Sequence, residues 1–190
     1  VEAGLLDGKN QLIVSATATG KTLVGELAGI QNILKTPYLN TGTKGKMLFL
    51  VPLVALANQK YEQFNKRYSS VATTSLRVGT SRIIKGTKGI RTSLSSEIIV
   101  GTYEGIDFVI RSGNAKSLGD IGTVVIDEVH MLEDKERGHR LDGLIARLKF
   151  IAPDAQYIYL SATVGKPQWL AEKLGAALIE FEERPVPIER

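Results

Sequence analysis

Apolar residues in this chain fall into two alternating patterns. Short runs without interruption, Leu12-Ile13-Val14, Met47-Leu48-Phe49-Leu50-Val51, Ile98-Ile99-Val100 and Val124-Val125-Ile126, suit strands covered on both faces. Between them lie stretches with apolar positions three and four apart, the period of an amphipathic helix. This spacing predicts helices over 21–34 (Leu23, Val24, Leu27, Ala28, Ile30, Ile33, Leu34), 54–68 (Leu56, Tyr61, Phe64 inward), 103–111, 139–150 (Leu141, Leu144, Ile145, Leu148) and 168–174. Strands are predicted over 11–15, 47–51, 73–78, 97–101, 123–126, 156–160 and 177–181. The residue before Pro37 disfavours helix and closes the first one. Pro52 closes the second strand, and Ser112-Gly113-Asn114 closes the third helix. The stretch 81–96 resists assignment: Arg82, Lys85, Lys88 and Arg91 recur every third residue, but Gly86 and Gly89 weaken a helix.

Strands alternating with helices imply an α/β fold, a mainly parallel sheet with helices on both faces. In such sheets ligands gather at the carboxyl ends of strands. Three polar clusters follow predicted strand ends: 15–22, Asp127-Glu128 and Ser161-Ala162-Thr163.

Composition narrows the classes. The chain has 190 residues, 43% hydrophobic and 23% charged, the balance of one ordinary globular domain. Cysteine is absent, which excludes disulfides and thiolate metal sites and fits an intracellular protein. No run reaches the length of a membrane span, and the first residues lack a signal-peptide pattern. Net charge is +4 but uneven. From Gln63 to Ser96 there is no acid, yet there are Lys66, Arg67, Arg77, Arg82, Lys85, Lys88 and Arg91; the remainder of the chain stands at −3. Such a segment suits a polyanion partner, or is simply a solvated loop.

The cluster Ser15-Ala16-Thr17-Ala18-Thr19-Gly20-Lys21-Thr22 follows a strand and opens a helix, the context of a phosphate-binding loop. Small residues let consecutive backbone N–H groups approach phosphate oxygens, and the helix start adds positive potential. Lys21 would reach the β- and γ-phosphates, and the Thr22 hydroxyl would join Mg²⁺. The first glycine of the usual pattern is Ser15 here, so a chance Gly-Lys-Thr stays open on this stretch alone. Asp127 and Glu128, at the end of a buried strand, suit a water-mediated Mg²⁺ ligand and a general base; two solvated acids would read the same way.

Together these motifs resemble a superfamily 2 DExH-box helicase. Asp127-Glu128-Val129-His130-Met131-Leu132, Glu136-Arg137-Gly138, Ser161-Ala162-Thr163-Val164-Gly165, Trp169-Leu170-Ala171 and Arg184-Pro185-Val186-Pro187 are similar to the Ski2-like group, which includes Hel308-type helicases. The resemblance covers almost the whole chain as the first RecA-like (P-loop NTPase) domain, residues 1–183, with 184–190 as a linker toward a second such domain.

The resemblance implies ATP and Mg²⁺ as cofactors, bound by Ala16, Thr17, Ala18, Thr19, Gly20, Lys21, Thr22, Asp127 and Glu128. Thr22 and Asp127 would hold the metal. Glu128, Lys21 and Asp127 would be catalytic. His130, Ser161, Ala162 and Thr163 would couple the nucleotide to a nucleic-acid strand, although His130 also reads as a satisfied partly buried histidine. Pro52, Leu53, Lys60, Thr102 and Tyr103 would grip single-stranded or duplex nucleic acid through its phosphates, although Lys60 is equally suited to solvent and a tyrosine such as Tyr103 is more often a core aromatic than a base-stacking platform. Trp169 is expected to pack its helix against the sheet. A monomer working in the cytoplasm or on the nucleoid, and weak activity of this domain alone, complete the expectation. A duplex-DNA translocase and an ATPase-dead nucleic-acid-binding scaffold are the alternatives. Gln11 is too near the loop to read adenine, and no Gln-x-x-Gly-Arg-x-Gly-Arg motif is present. DNA and RNA are not distinguished.

Overall fold

The computed structural model describes residues 4–16, 20–35, 45–79, 93–136 and 138–181. Seven parallel strands form one sheet: β1 (Gln11–Ser15), β2 (Lys46–Val51), β3 (Thr74–Arg77), β4 (Ile98–Thr102), β5 (Ile121–Ile126), β6 (Gln156–Ser161) and β7 (Ala177–Phe181), in the order β3-β4-β2-β5-β6-β1-β7. Among the described residues five α-helices cross between them: α1 (Lys21–Lys35), α2 (Val54–Tyr68), α3 (Tyr103–Val109), α4 (Gly138–Ile151) and α5 (Pro167–Leu174). The strands that the continuous apolar runs predict are indeed buried on both sides.

Alternation along each strand divides the core into two layers. Ile13, Met47, Phe49, Val125 and Ile158 point toward α1 and α2. Leu12, Leu48, Val124, Ile126 and Tyr159 point toward α3, α4 and α5. β6 lies between β5 and β1, with Ile126 level with Tyr159 and Ser161 level with Val14. The three polar clusters of the sequence therefore stand side by side on one edge.

The first helix meets the sheet differently from its apolar pattern. Ala28 and Ile33 are buried, but Leu23, Leu27 and Leu34 are about half exposed. Its buried face is built on Lys21, Gly25, Glu26 and Gly29 instead. A Cβ at Gly25 would stand 2.7 Å from Val125 Cγ1, and one at Gly29 would stand 2.0 Å from Met47 Sδ. Two glycines one turn apart thus let α1 settle onto β5 and β2, which sets where Lys21 enters the site. Gly29→Val is expected to destabilise the domain by about 1–3 kcal/mol through overpacking, measured by chemical denaturation; unchanged stability would show that α1 can lift without cost.

A buried acid fastens the same helix to its neighbour. Glu26 Oε2 accepts from Arg67 Nη1 at 2.5 Å and from the Tyr68 hydroxyl at 2.7 Å, both on α2. One of the seven residues of the basic segment is therefore an internal partner. Arg82, Lys85, Lys88 and Arg91 lie outside the described residues, as do Arg137 and 182–190.

Two local expectations change. Trp169 does not pack against the sheet: it is 53% exposed, with Lys173 Nζ 5.7 Å from the ring centroid, while Leu170, Ala171 and Leu174 make the contact. The third helix ends at Val109 rather than Arg111, giving way to a wider turn over Ile110–Asn114 in which Gly113 takes φ +80°. The Ser112 hydroxyl donates to the Val109 carbonyl at 3.1 Å and competes with helix continuation there.

Candidate active site at the carboxyl edge of the sheet

The site is assembled from the ends of β1, β6 and β5. After β1, Ala16 is half-buried and Gly20 takes φ +83°, a conformation that favours glycine. Thr17, Ala18 and Thr19 lie outside the described residues. The Leu23 N–H donates to the Gly20 carbonyl at 2.9 Å as α1 begins, and Thr22 is half-buried. Lys21 is only 9% exposed, and its Nζ has no hydrogen-bond partner among the described residues. A buried ammonium without a partner is costly, and such groups are normally paired. Anionic oxygens at this helix start would satisfy it.

Asp127 closes β5 and is 7% exposed, so it is not a solvated acid. Burial first, and then the charge of Glu128, raise its proton affinity above that of an ordinary carboxyl; the Glu128 N–H, Lys21 and Lys60 oppose that rise. The Glu128 N–H donates to Asp127 Oδ1 at 3.0 Å, and the buried Tyr103 hydroxyl donates to the Asp127 carbonyl oxygen. A cation beside this carboxylate would offset its burial. No cluster of His, Asp or Glu among the described residues would hold a metal by itself. One carboxylate plus substrate oxygens and water is the way Mg²⁺ is usually held.

Glu128 has φ +58°, the left-handed region, and it is the one non-glycine residue there among those described. That conformation costs roughly 1–2 kcal/mol for a residue with a Cβ, and such strain collects at functional positions. The turn lets the chain reverse after β5, so that Glu128 and His130 face the end of β6. His130 Nδ1 lies 3.3 Å from Glu128 Oε2 and also accepts from the Ala162 N–H at 3.3 Å. One nitrogen cannot do both at once: it must be bare for Ala162 and protonated to donate to Glu128. Ser161 is fully buried and its hydroxyl donates to the Ala162 carbonyl at 2.7 Å; Thr163 is exposed.

The five residues read as nucleic-acid contacts divide. Pro52 and Leu53 lie at the surface after β2. Lys60 Nζ donates to Gln63 Oε1 at 3.3 Å, and its charge reaches Asp127. Thr102 and Tyr103 are buried. The Thr102 hydroxyl accepts from the Gly105 N–H at 3.1 Å and caps α3. The Tyr103 ring sits in the core with its hydroxyl on Asp127, so it offers no face to a base. Any phosphate contact there falls to the backbone at the start of α3.

Comparison with known proteins agrees with this geometry. Residues 2–169 match the DEAD/DEAH box helicase family. The chain belongs to that family. It is 58% identical over 191 residues to the probable ATP-dependent helicase MJ1401 of Methanocaldococcus jannaschii, covering all of this chain and 22% of that protein. To the ATP-dependent DNA helicase Hel308 of Methanococcus vannielii it is 42% identical over 192 residues, covering 24% of that protein. Such relatives bear out the Ski2-like resemblance. The crystal structure of the DUF1998 helicase MrfA bound to DNA superposes with a TM-score of 0.70 at 21% identity, over 95% of this chain and 26% of that one; that likeness carries the fold. This helicase-family chain spans about a quarter of its curated relatives. No helix among the described residues is long and apolar enough to cross a membrane.

Sequence reasoning missed Glu26, which holds α1 in place. The pattern does contain a clue. Glu26 lies one heptad before Ile33, on the face shared by Gly25 and Gly29, where an acid needs a partner.

Proposed function

We propose that this chain is the first RecA-like motor domain of an ATP-dependent helicase that separates nucleic-acid strands, residues 1–183 forming the domain and 184–190 leading to a second one. The buried ammonium of Lys21, without a hydrogen-bond partner among the described residues, and its charge at Asp127 carry the reading. Lys21 and the backbone of Ala16 to Gly20 bind the phosphates of ATP. Thr22 and Asp127 hold Mg²⁺, which supplies charge neutralisation on the phosphoryl oxygens. Glu128 orients the attacking water and takes its proton. The protein works as a monomer inside the cell.

His130 links this chemistry to the strand. Its Nδ1 stands between the base, Glu128, and the backbone after β6, so a change in charge at Glu128 alters which partner it keeps. Ser161 and Thr163 frame the Ala162 end of that link. Pro52, Leu53, Lys60 and the backbone at Thr102 and Tyr103 face the strand and contact phosphates without reading bases. The relatives named as DNA helicases favour DNA as the polymer.

The full-length protein is expected to hydrolyse ATP faster when single-stranded DNA is added and to separate a duplex. His130→Ala should lower the ratio of DNA-stimulated to basal turnover by about 5- to 150-fold, the span of ordinary coupling energies. An ATPase indifferent to DNA, or an unchanged ratio in His130→Ala, would count against this coupling.

A further inference from the structure

The peptide group between Asp127 and Glu128 is held at both of its polar ends. Its carbonyl oxygen accepts from the Tyr103 hydroxyl, and its N–H donates to Asp127 Oδ1 at 3.0 Å. The backbone on either side is tied as well. The Asp127 N–H donates to the Leu50 carbonyl on β2 at 2.9 Å, and the Glu128 carbonyl accepts from the Met131 N–H at 3.0 Å. Between these fixed planes Glu128 sits at φ +58° and ψ +38°. A residue with a Cβ keeps such a conformation only where its surroundings over-determine it. Tyr103 supplies its share of that constraint from two strands away. It follows β4 directly, and β2 lies between β4 and β5, with Val51 level with Thr102 and Leu50 level with Ile126. Its side chain therefore reaches over the end of β2. The ring is buried in the core, which fixes the hydroxyl in place.

A phenylalanine would fill the same space, so packing alone does not call for the hydroxyl. We infer that Tyr103 is a positioning residue for hydrolysis: its hydroxyl fixes the peptide from which Glu128 turns, and so holds the Glu128 carboxylate at the angle from which it meets the attacking water. The inference rests on the assignment of Glu128 as the base. Without the Tyr103 bond this peptide plane is free to tilt, and the Glu128 side chain swings with it. Small displacements of a reacting group are costly: about 1 Å is worth up to about 10²-fold in rate. Asp127 moves less, because its own N–H stays in the ladder with β2. The loss therefore falls on turnover rather than on nucleotide affinity.

The test compares Tyr103→Phe with the unaltered full-length protein at saturating ATP and single-stranded DNA. The ring stays in the core, so folding is retained, and melting curves check this. kcat is expected to fall about 2- to 13-fold, the weight of one hydrogen bond, with Mg·ATP affinity unchanged. In the nucleotide-free protein, hydrogen exchange at the Glu128 and Met131 amides should quicken by a similar factor. In a Glu128→Gln background, Tyr103→Phe should leave the residual turnover as it is, because effects that act through one group do not add. An unaltered kcat in Tyr103→Phe, with or without a lower melting temperature, would overturn the inference, as would unaltered exchange at both amides. So would an equal loss in the two backgrounds, which would mean that the hydroxyl does not act through Glu128. If Glu128→Gln alone turns over ATP at the full rate, the assignment of the base fails, and that single variant shows it independently of Tyr103.

Discussion

Glu128→Gln is expected to lower ATP turnover of the full-length protein by at least 10²–10⁴-fold, the usual contribution of a positioned general base, while Mg·ATP still binds. The substitution keeps the shape of the side chain, so the turn after β5 and its left-handed residue are retained. What changes is the ability to accept a proton. It also removes the second acid beside Asp127, whose charge raises the proton affinity of that carboxyl. The nucleotide-free protein should therefore lose nothing in stability. Steady-state hydrolysis and equilibrium ATP binding separate the two effects. Turnover at the unaltered rate would show that another group takes the proton.

Lys21→Ala carries the second large effect, on binding rather than on the proton. In the nucleotide-free domain its Nζ is enclosed and has no hydrogen-bond partner among the described residues. Removing it deletes a buried charge but also a cation that favours the Asp127 carboxylate; the two effects oppose, and the melting temperature should hold. In the bound state the same ammonium would make charge-assisted hydrogen bonds to phosphate, worth about 1.5–3 kcal/mol to a charged partner. Affinity for Mg·ATP should fall roughly 10- to 150-fold by the corresponding arithmetic. A merely structural lysine would move these quantities the other way: stability would fall and affinity would stay.

The sheet was legible because its strands are apolar on both faces. Met47 to Val51 and Val124 to Ile126 are almost wholly buried, as their unbroken runs require. The α1 face was not, because periodicity counts side chains, and two of the residues that meet the sheet have none. Gly25 and Gly29 bring the backbone close, and Leu23, Leu27 and Leu34 turn outward. Glu26 with Arg67, and His130 with Ala162, join residues 41 and 32 positions apart. No local pattern reports such pairs; the family motifs gave His130 and Ala162 a shared coupling role but not their contact. Trp169 went astray for a related reason. A lone tryptophan on a short amphipathic helix reads as core, but Leu170, Ala171 and Leu174 already fill the face that meets the sheet. At the site, residue identity was sufficient to nominate Lys21, Asp127 and Glu128. It could not show that Lys21 Nζ is buried without a partner among the described residues, that Asp127 is buried, or that Glu128 is strained.

The most direct measurement is a calorimetric titration of Mg·ATP into this 190-residue chain and its Lys21→Ala variant, with melting curves of both. One saturable site is expected in the unaltered chain, weakened at least about tenfold in the variant, with a melting temperature that does not fall. Equal affinity in the two, or loss of affinity only through loss of folding, would contradict it.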